Sequence, residues 1–256
     1  MIEVRDVALE VGARSLLEGV NFSVARGELV AVIGPNGVGK TTLLRAVAGM
    51  HALAGGSIAI DGVPVGALSI HERARRIAFV AADETPVEAL RVRDVVATGR
   101  YAHHRWWEWR ENASDGSAIS SALAEVGMER MRDRVFSTLS SGERRNIWIA
   151  LALAQETPVL LLDEPTTHLD VHVAQRMLGL LQRLARRGKS ILCALHDLND
   201  AAAYADRLLV LGSGRLRIAD RPDAVLESPL LDEVYTIEME RIRLTDGSLR
   251  VFAKKR

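Results

Sequence analysis

Residues 28–50, ELVAVIGPNGVGKTTLLRAVAGM, constrain the fold more than any other part of this 256-residue chain. The first seven are an almost unbroken apolar run, the pattern of a strand buried on both faces of a parallel sheet. The last ten space their apolar residues as a helix does. Between them GPNGVGKTT satisfies G-x-x-x-x-G-K-[ST] at Gly34, Gly39, Lys40 and Thr41, in the strand–loop–helix context the motif requires. Gly34, Gly37 and Gly39 let backbone N–H groups turn inward and cradle phosphate oxygens, with Pro35, Asn36 and Val38 at the variable positions and Thr42 following the motif. The helix N-terminus adds free donors and a favourable dipole. Lys40 is placed to reach β- and γ-phosphates, and the Thr41 hydroxyl to ligate Mg²⁺. The segment predicts a nucleoside triphosphate site.

The rest of the chain supplies the sheet. RIAFVA, TPVLLLD (157–163), SILCALH (190–196) and RLLVLGSG (207–214) read as further buried strands, separated by amphipathic helices such as 171–188. Strands alternating with helices imply an α/β fold with a mostly parallel sheet, here a P-loop NTPase. The first 30 residues and GGSIAIDG (55–62) read as short antiparallel strands, an N-terminal β subdomain. From about 88 to 156 helix follows helix, as in an inserted α-helical subdomain. The expected division is a single domain with its core at about 1–87 and 157–220, the insertion between, and an appendage at about 221–256.

Composition narrows the function classes. Lys plus Arg and Asp plus Glu number 33 each, so no basic field points to nucleic acid. One cysteine, Cys193, lies in an apolar run and excludes an intrachain disulfide framework. The N-terminus MIEVRDVALEV does not follow the pattern of a signal peptide. The longest apolar runs fall short of the roughly 20 residues a membrane helix needs, so a membrane role would require a membrane-embedded partner.

Two further motifs carry chemistry. VLLLDEPTTHLD (159–170) runs four apolar residues into Asp163 and Glu164. At the end of a parallel strand beside the phosphate loop, Asp163 can hold Mg²⁺ and Glu164 can polarise the attacking water. His196 closes the strand SILCAL. Parallel strands present their C-terminal ends on one rim, so a neutral imidazole there could hydrogen-bond the γ-phosphate and the water.

LSSGERRN (139–146) settles the class: it resembles the LSGGQ signature of ABC ATPases, with Ser141 at the second glycine and Glu143 at the glutamine. Ser140 and the N–H groups of Ser141 and Gly142 would aim at phosphate from a helix N-terminus. With the phosphate loop, DEPTTHLD and ALHDLN in order, the resemblance covers roughly residues 1–220. It implies a head-to-tail homodimer sandwiching two ATP molecules with Mg²⁺, each between the 34–42 loop of one subunit and the 139–143 signature of the other. It also implies Asp170 in the D-loop at the dimer seam, Glu164 as general base, and His196 on the γ-phosphate. Within the family, TPVLLLDEPTTHLD, GKSILCALHDLNDAAAYADRLLVLGSGRL, PDAVLESPLLDEVY and VRDVVATGRY resemble the ATPases of bacterial importers for iron–siderophore complexes, haem and vitamin B12. That likeness implies polytopic permease partners, a substrate-binding protein engaged indirectly, and a peripheral place on the cytoplasmic face of the bacterial inner or plasma membrane. The rival reading is a soluble ABC ATPase acting as a switch or scaffold. The tandem ATPase halves, coiled coils or zinc modules usual for that class are absent from the sequence.

Three stretches depart from the family pattern. The Q-loop glutamine, expected to help ligate Mg²⁺ and water, falls at Ala82 in RIAFVAADETP. Asp83 or Glu84 could substitute as carboxylate ligands, or could be solvated loop acids. The aromatic residue that stacks on adenine aligns with Val11, where Arg14 could lay its guanidinium over the base instead. YAHHRWWEWR (101–110) gathers three of the four tryptophans among arginines and histidines. Its aromatics and arginines suit an interface with the membrane subunit better than nucleic acid, which neutral charge disfavours, or metal at His103–His104.

Overall fold

The computed structural model describes residues 1–82, 89–104 and 113–254. The chain opens with β1 (Ile2–Val11), β2 (Arg14–Val24), β3 (Leu29–Ile33), α1 (Lys40–Val47), β4 (Gly55–Ile60) and β5 (Val63–Pro64). Next come α2 (Ile70–Ala74), β6 (Ile77–Val80), α3 (Val92–Ala97), α4 (Ala113–Glu125) and α5 (Ser141–Ala154). Then follow β7 (Val159–Asp163), α6 (Val171–Arg186), β8 (Ser190–Ala194), α7 (Leu198–Tyr204), β9 (Arg207–Gly212) and β10 (Arg215–Asp220). The tail holds α8 (Pro222–Glu227), α9 (Leu230–Tyr235), β11 (Met239–Arg243) and β12 (Leu249–Ala253).

A six-stranded sheet in the order β10-β9-β3-β8-β7-β6 carries the site. Its strands from β9 to β6 are parallel, and only the edge strand β10 runs the other way. The register pairs Val32 with Ala194, Asp163 with Ala194, and Val80 with Leu162, so β3, β8, β7 and β6 all end on one rim. A second sheet, β2-β1-β4-β5, is antiparallel. β1 and β2 run 10 and 11 residues, longer than expected, because bulges keep their apolar positions facing the core across three register shifts.

The alternation within β3 divides the interior. Leu29, Ala31 and Ile33 pack with Met177, Leu178 and Leu181 of α6, while Val30 and Val32 face Leu43, Leu44 and Val47 of α1 and the antiparallel sheet. All five β3 residues are buried, each large side chain contributing about 1.5–3 kcal/mol, which makes β3 a rigid base for the loop that follows. The helices α3, α4 and α5 share a third core around Val92, Val96, Leu123, Phe136 and Ile147, with Trp148 edge-on to Phe136 at 5.5 Å. The tail packs on the main sheet. Val225, Leu226, Leu231, Leu249 and Val251 join the larger core of the main sheet, since short helices with apolar stripes need a partner surface to stay folded.

Candidate active site

The phosphate loop leaves β3 at Gly34, whose φ of +146° is open to glycine alone, and a Cβ there would sit 2.4 Å from the Leu211 carbonyl oxygen. Lys40, the first residue of α1, is 5% exposed and donates to the carbonyls of Gly34 (2.8 Å) and Pro35 (3.2 Å). Burial pulls its pKa down, while the nearby Glu164 and Asp163 charges push it up. The loop thus holds its own cation at the base of the phosphate nest.

Thr41 Oγ1 donates to Asp163 Oδ1 at 3.1 Å, joining the start of α1 to the end of β7. Asp163 is buried and its pKa is pushed up, chiefly by desolvation, against the Thr41 hydrogen bond. A hydroxyl and a carboxylate side by side are hard oxygen donors that suit Mg²⁺. Among the described residues no group of three or more His, Cys, Asp or Glu gathers as a metal cage. A divalent ion here would complete its shell with phosphate oxygens and water, as Mg²⁺ commonly does.

Glu164 follows in a left-handed conformation, φ +49°. Its N–H donates to Ala194 O (3.1 Å), and Thr167 Oγ1 donates to its Oε2 (3.3 Å). This turn swings the carboxylate over the sheet rim, where Oε1 lies 2.5 Å from His196 Nε2. His196 stands two residues beyond β8 rather than inside it, because the strand ends at Ala194. A cleft of about 520 Å³ collects Val11, Arg14, Asn36, Gly37, Gly39, Lys40, Thr41, Thr42, Glu164 and His196. Pro35 and Val38 line the adjoining cleft, which Arg14 also borders. Val11 is 56% exposed at the mouth and offers no ring. Cys193, wholly buried in β8, has its thiol pKa driven upward by desolvation.

The LSSGE segment lies elsewhere. Ser140 caps α5 through a capping box: its Oγ accepts from Glu143 N–H (3.3 Å), and its own N–H donates to Glu143 Oε2 (2.8 Å). Ser140, Gly142 and Glu143 line a second cleft of about 870 Å³, bordered by His172 and Arg176 of α6. Within one chain, then, the loop and the signature face separate clefts. Asp170 is the N-cap of α6 and its side chain makes no capping bond. Ala82 lies two residues past β6. Asp83 and Glu84, and the RWWEWR stretch 105–110, lie outside the described residues. His103 and His104 are used within the protein: the former meets Gln155 O at 2.9 Å, the latter Asp115 Oδ2 at 2.9 Å.

Arg145 escaped the sequence reading. It is 4% exposed, and its Nη1 donates to Ala81 O (2.6 Å) while its Nη2 donates to Asp163 O (2.7 Å). The available signal was positional. Arg145, Ile149 and Ala152 fall on one helical face, the face that packs on the sheet.

The family profile described as ABC transporter matches residues 17–167. The chain belongs to the ABC transporter family. It is an ATP-binding subunit of that family and an ATPase. It is similar to the hemin import ATP-binding protein HmuV of Nocardia farcinica, 42% identical over 228 residues, or 89% of this chain and 78% of the relative. It is likewise similar to the ferric enterobactin transport ATP-binding protein FepC of Escherichia coli K12, 36% identical over 90% of this chain and 84% of that one. A metal-chelate type ABC transporter solved in an inward-facing conformation superimposes with TM-score 0.84 at 27% identity, covering 98% of this chain and 95% of that chain. A bacterial ABC transporter cassette solved as a dimer gives 0.76 at 25% identity, covering 87% and 99%. No described helix is long and apolar enough to cross a membrane.

Proposed function

We propose that this ABC ATPase powers import of a metal chelate of the haem, ferric siderophore or cobalamin type. It works as a homodimer on the cytoplasmic face of a membrane, docked to polytopic permease subunits that receive substrate from a binding protein. The observation that carries the reading is the convergence of Lys40, Thr41, Glu164 and His196 on one cleft, in a chain similar to hemin and enterobactin import ATPases.

In this reading Gly34 to Thr42 bind the triphosphate, with Lys40 leaving the Gly34 and Pro35 carbonyls for the β- and γ-phosphates. Thr41 and Asp163 would hold Mg²⁺, which supplies neutralisation of phosphate charge when bound. Glu164 takes the proton of the attacking water, and His196 orients that water and the γ-phosphate. Ser140, Ser141, Gly142 and Glu143 of a second copy would close over the nucleotide, because within one chain the loop and the signature line separate clefts, and Asp170 would line the seam. Residues 1–87 and 157–220 form the working core, with 88–156 as the permease-facing insertion. The test is co-purification with a polytopic permease, followed by ATP-dependent uptake of hemin, a ferric siderophore and cobalamin in proteoliposomes. Stimulation of hydrolysis by none of the three chelates, with no uptake, overturns the substrate class.

A further inference from the structure

Arg145 sits five residues into the signature segment that begins at its cap, Ser140, yet its side chain leaves the signature cleft and enters the sheet rim. Burying a guanidinium costs several kcal/mol unless its donors are satisfied. Among the described residues they meet backbone carbonyls at the ends of two strands. Nη1 donates to Ala81 O at 2.6 Å and more weakly to Ala82 O at 3.4 Å. Nη2 donates to Asp163 O at 2.7 Å and Glu164 O at 2.9 Å, and Nε donates to Pro165 O at 3.2 Å. One planar group therefore spans β6 and β7 just where they give way to loops.

The three carbonyls on the β7 side, of Asp163, Glu164 and Pro165, belong to the peptides around the site's two acids. Glu164 already holds a left-handed backbone, φ +49°, a conformation that survives in a non-glycine residue only when its surroundings over-determine it. Rotation of the Asp163–Glu164 peptide would swing the Glu164 carboxylate away from the cleft, and a hydrogen bond to the Asp163 carbonyl resists that rotation. Ala82 has no polar side chain with which to anchor itself, so Arg145 fixes that segment through its main chain. At its other end α5 is fastened as well: Gln155 donates to Ile77 O at 3.0 Å and to Ala74 O. The helix that begins with the signature is thus held to β6 at both ends and cannot slide along the rim.

We propose that Arg145 is a positioning residue for ATP hydrolysis, its guanidinium setting the backbone of Ala81–Ala82 and Asp163–Pro165 relative to the first turn of the signature helix. The proposal rests on the reading of Glu164 as the base. Lysine cannot replace arginine here, because a single nitrogen on a flexible stem cannot bridge two strand ends as the rigid fork does.

The test uses the purified full-length chain, with Arg145→Gln, Arg145→Lys and, as a control on the site itself, Glu164→Gln. Binding of a fluorescent ATP analogue, kcat and KM for ATP, and thermal melting are measured on each. The expected result is a kcat lowered about 10- to 100-fold in both Arg145 variants, with analogue affinity within about threefold of wild type and a cooperative melt retained. A kcat within about twofold of wild type in both variants overturns the proposal, as does full recovery by lysine, which would make charge alone sufficient. Parallel loss of kcat and nucleotide affinity, or failure of both variants to fold, also overturns it by making the role structural. Wild-type hydrolysis that survives Glu164→Gln refutes the reading of the base, an outcome separate from any result at Arg145.

Discussion

Glu164 and His196 stand 2.5 Å apart, Oε1 to Nε2, although they come from the loops after two different parallel strands. A contact that short is a hydrogen bond, one proton shared between the imidazole and the carboxyl group. Both groups line the cleft that holds Lys40. Glu164→Gln keeps the size of the side chain but removes its basicity. Single-turnover hydrolysis is expected to fall by at least about 100-fold, while equilibrium binding of ATP is retained. His196→Ala is expected to slow hydrolysis comparably, because it releases the carboxylate and removes the group proposed to orient the γ-phosphate. Equal single-turnover rates in wild type and Glu164→Gln would remove Glu164 as base.

Much of this site was legible in the chain before any coordinates. The phosphate loop could be read because its glycines are forced by backbone geometry: Gly34 meets the Leu211 carbonyl, and no other residue fits. The rim could be read because buried parallel strands are continuous apolar runs and end together. Arg145 was hidden because arginine at a helix start ordinarily extends into water, and only the three-dimensional approach of two strand ends gives it carbonyls to bind. The packing of the tail was hidden for a related reason: its apolar residues are few per element, and what makes them core is the surface offered by α7 and β9, which only the fold brings against them.

Ala82 makes the next prediction. In this chain the end of β6 is positioned through the Ala81 and Ala82 carbonyls, not through an amide side chain reaching the nucleotide. Introducing an amide as Ala82→Gln is expected to raise permease-stimulated hydrolysis by roughly tenfold, equivalent to about 1.4 kcal/mol of barrier. The measurement compares both proteins in complex with the membrane partner, scoring hydrolysis and uptake together. Indistinguishable rates and transport would show that an amide side chain at position 82 has no bearing on coupling.

The mouth of the cleft predicts weak selection for the base. Val11 and Arg14 border it, and an aliphatic side chain cannot stack as a ring does. Val11→Tyr is expected to tighten ATP binding about fivefold, from roughly 1 kcal/mol of stacking. Arg14→Ala is expected to weaken it by about two- to fivefold if, as proposed, the guanidinium lies over the base. Titrations with ATP and GTP on all three proteins check both statements, and strong preference for ATP in the wild-type protein would count against Arg14 as the base contact.

The tail yields a prediction about acid stability. Asp232 of α9 accepts from Arg241 Nη2 at 2.6 Å and from Met239 N–H at 2.5 Å, and Arg241 also reaches the Leu226 and Ser228 carbonyls. The pair, about three-quarters buried on each side, ties α8, α9 and β11 into one unit. The Arg241 hydrogen bond holds the Asp232 carboxyl below its ordinary value of 3.8, with the Met239 amide adding to it and burial opposing it. A carboxylate whose pKa is depressed in the folded state contributes stability above its unfolded pKa and loses it as pH falls through the lower, folded value. Asp232→Asn is therefore expected to cost about 1 kcal/mol at pH 7, with the difference shrinking below about pH 4 and closing once the wild-type carboxyl is protonated. Denaturant melts of both proteins between pH 7 and the acid limit of folding check this. A gap that stays constant across that range would show that Asp232 acts through shape and not through its charge.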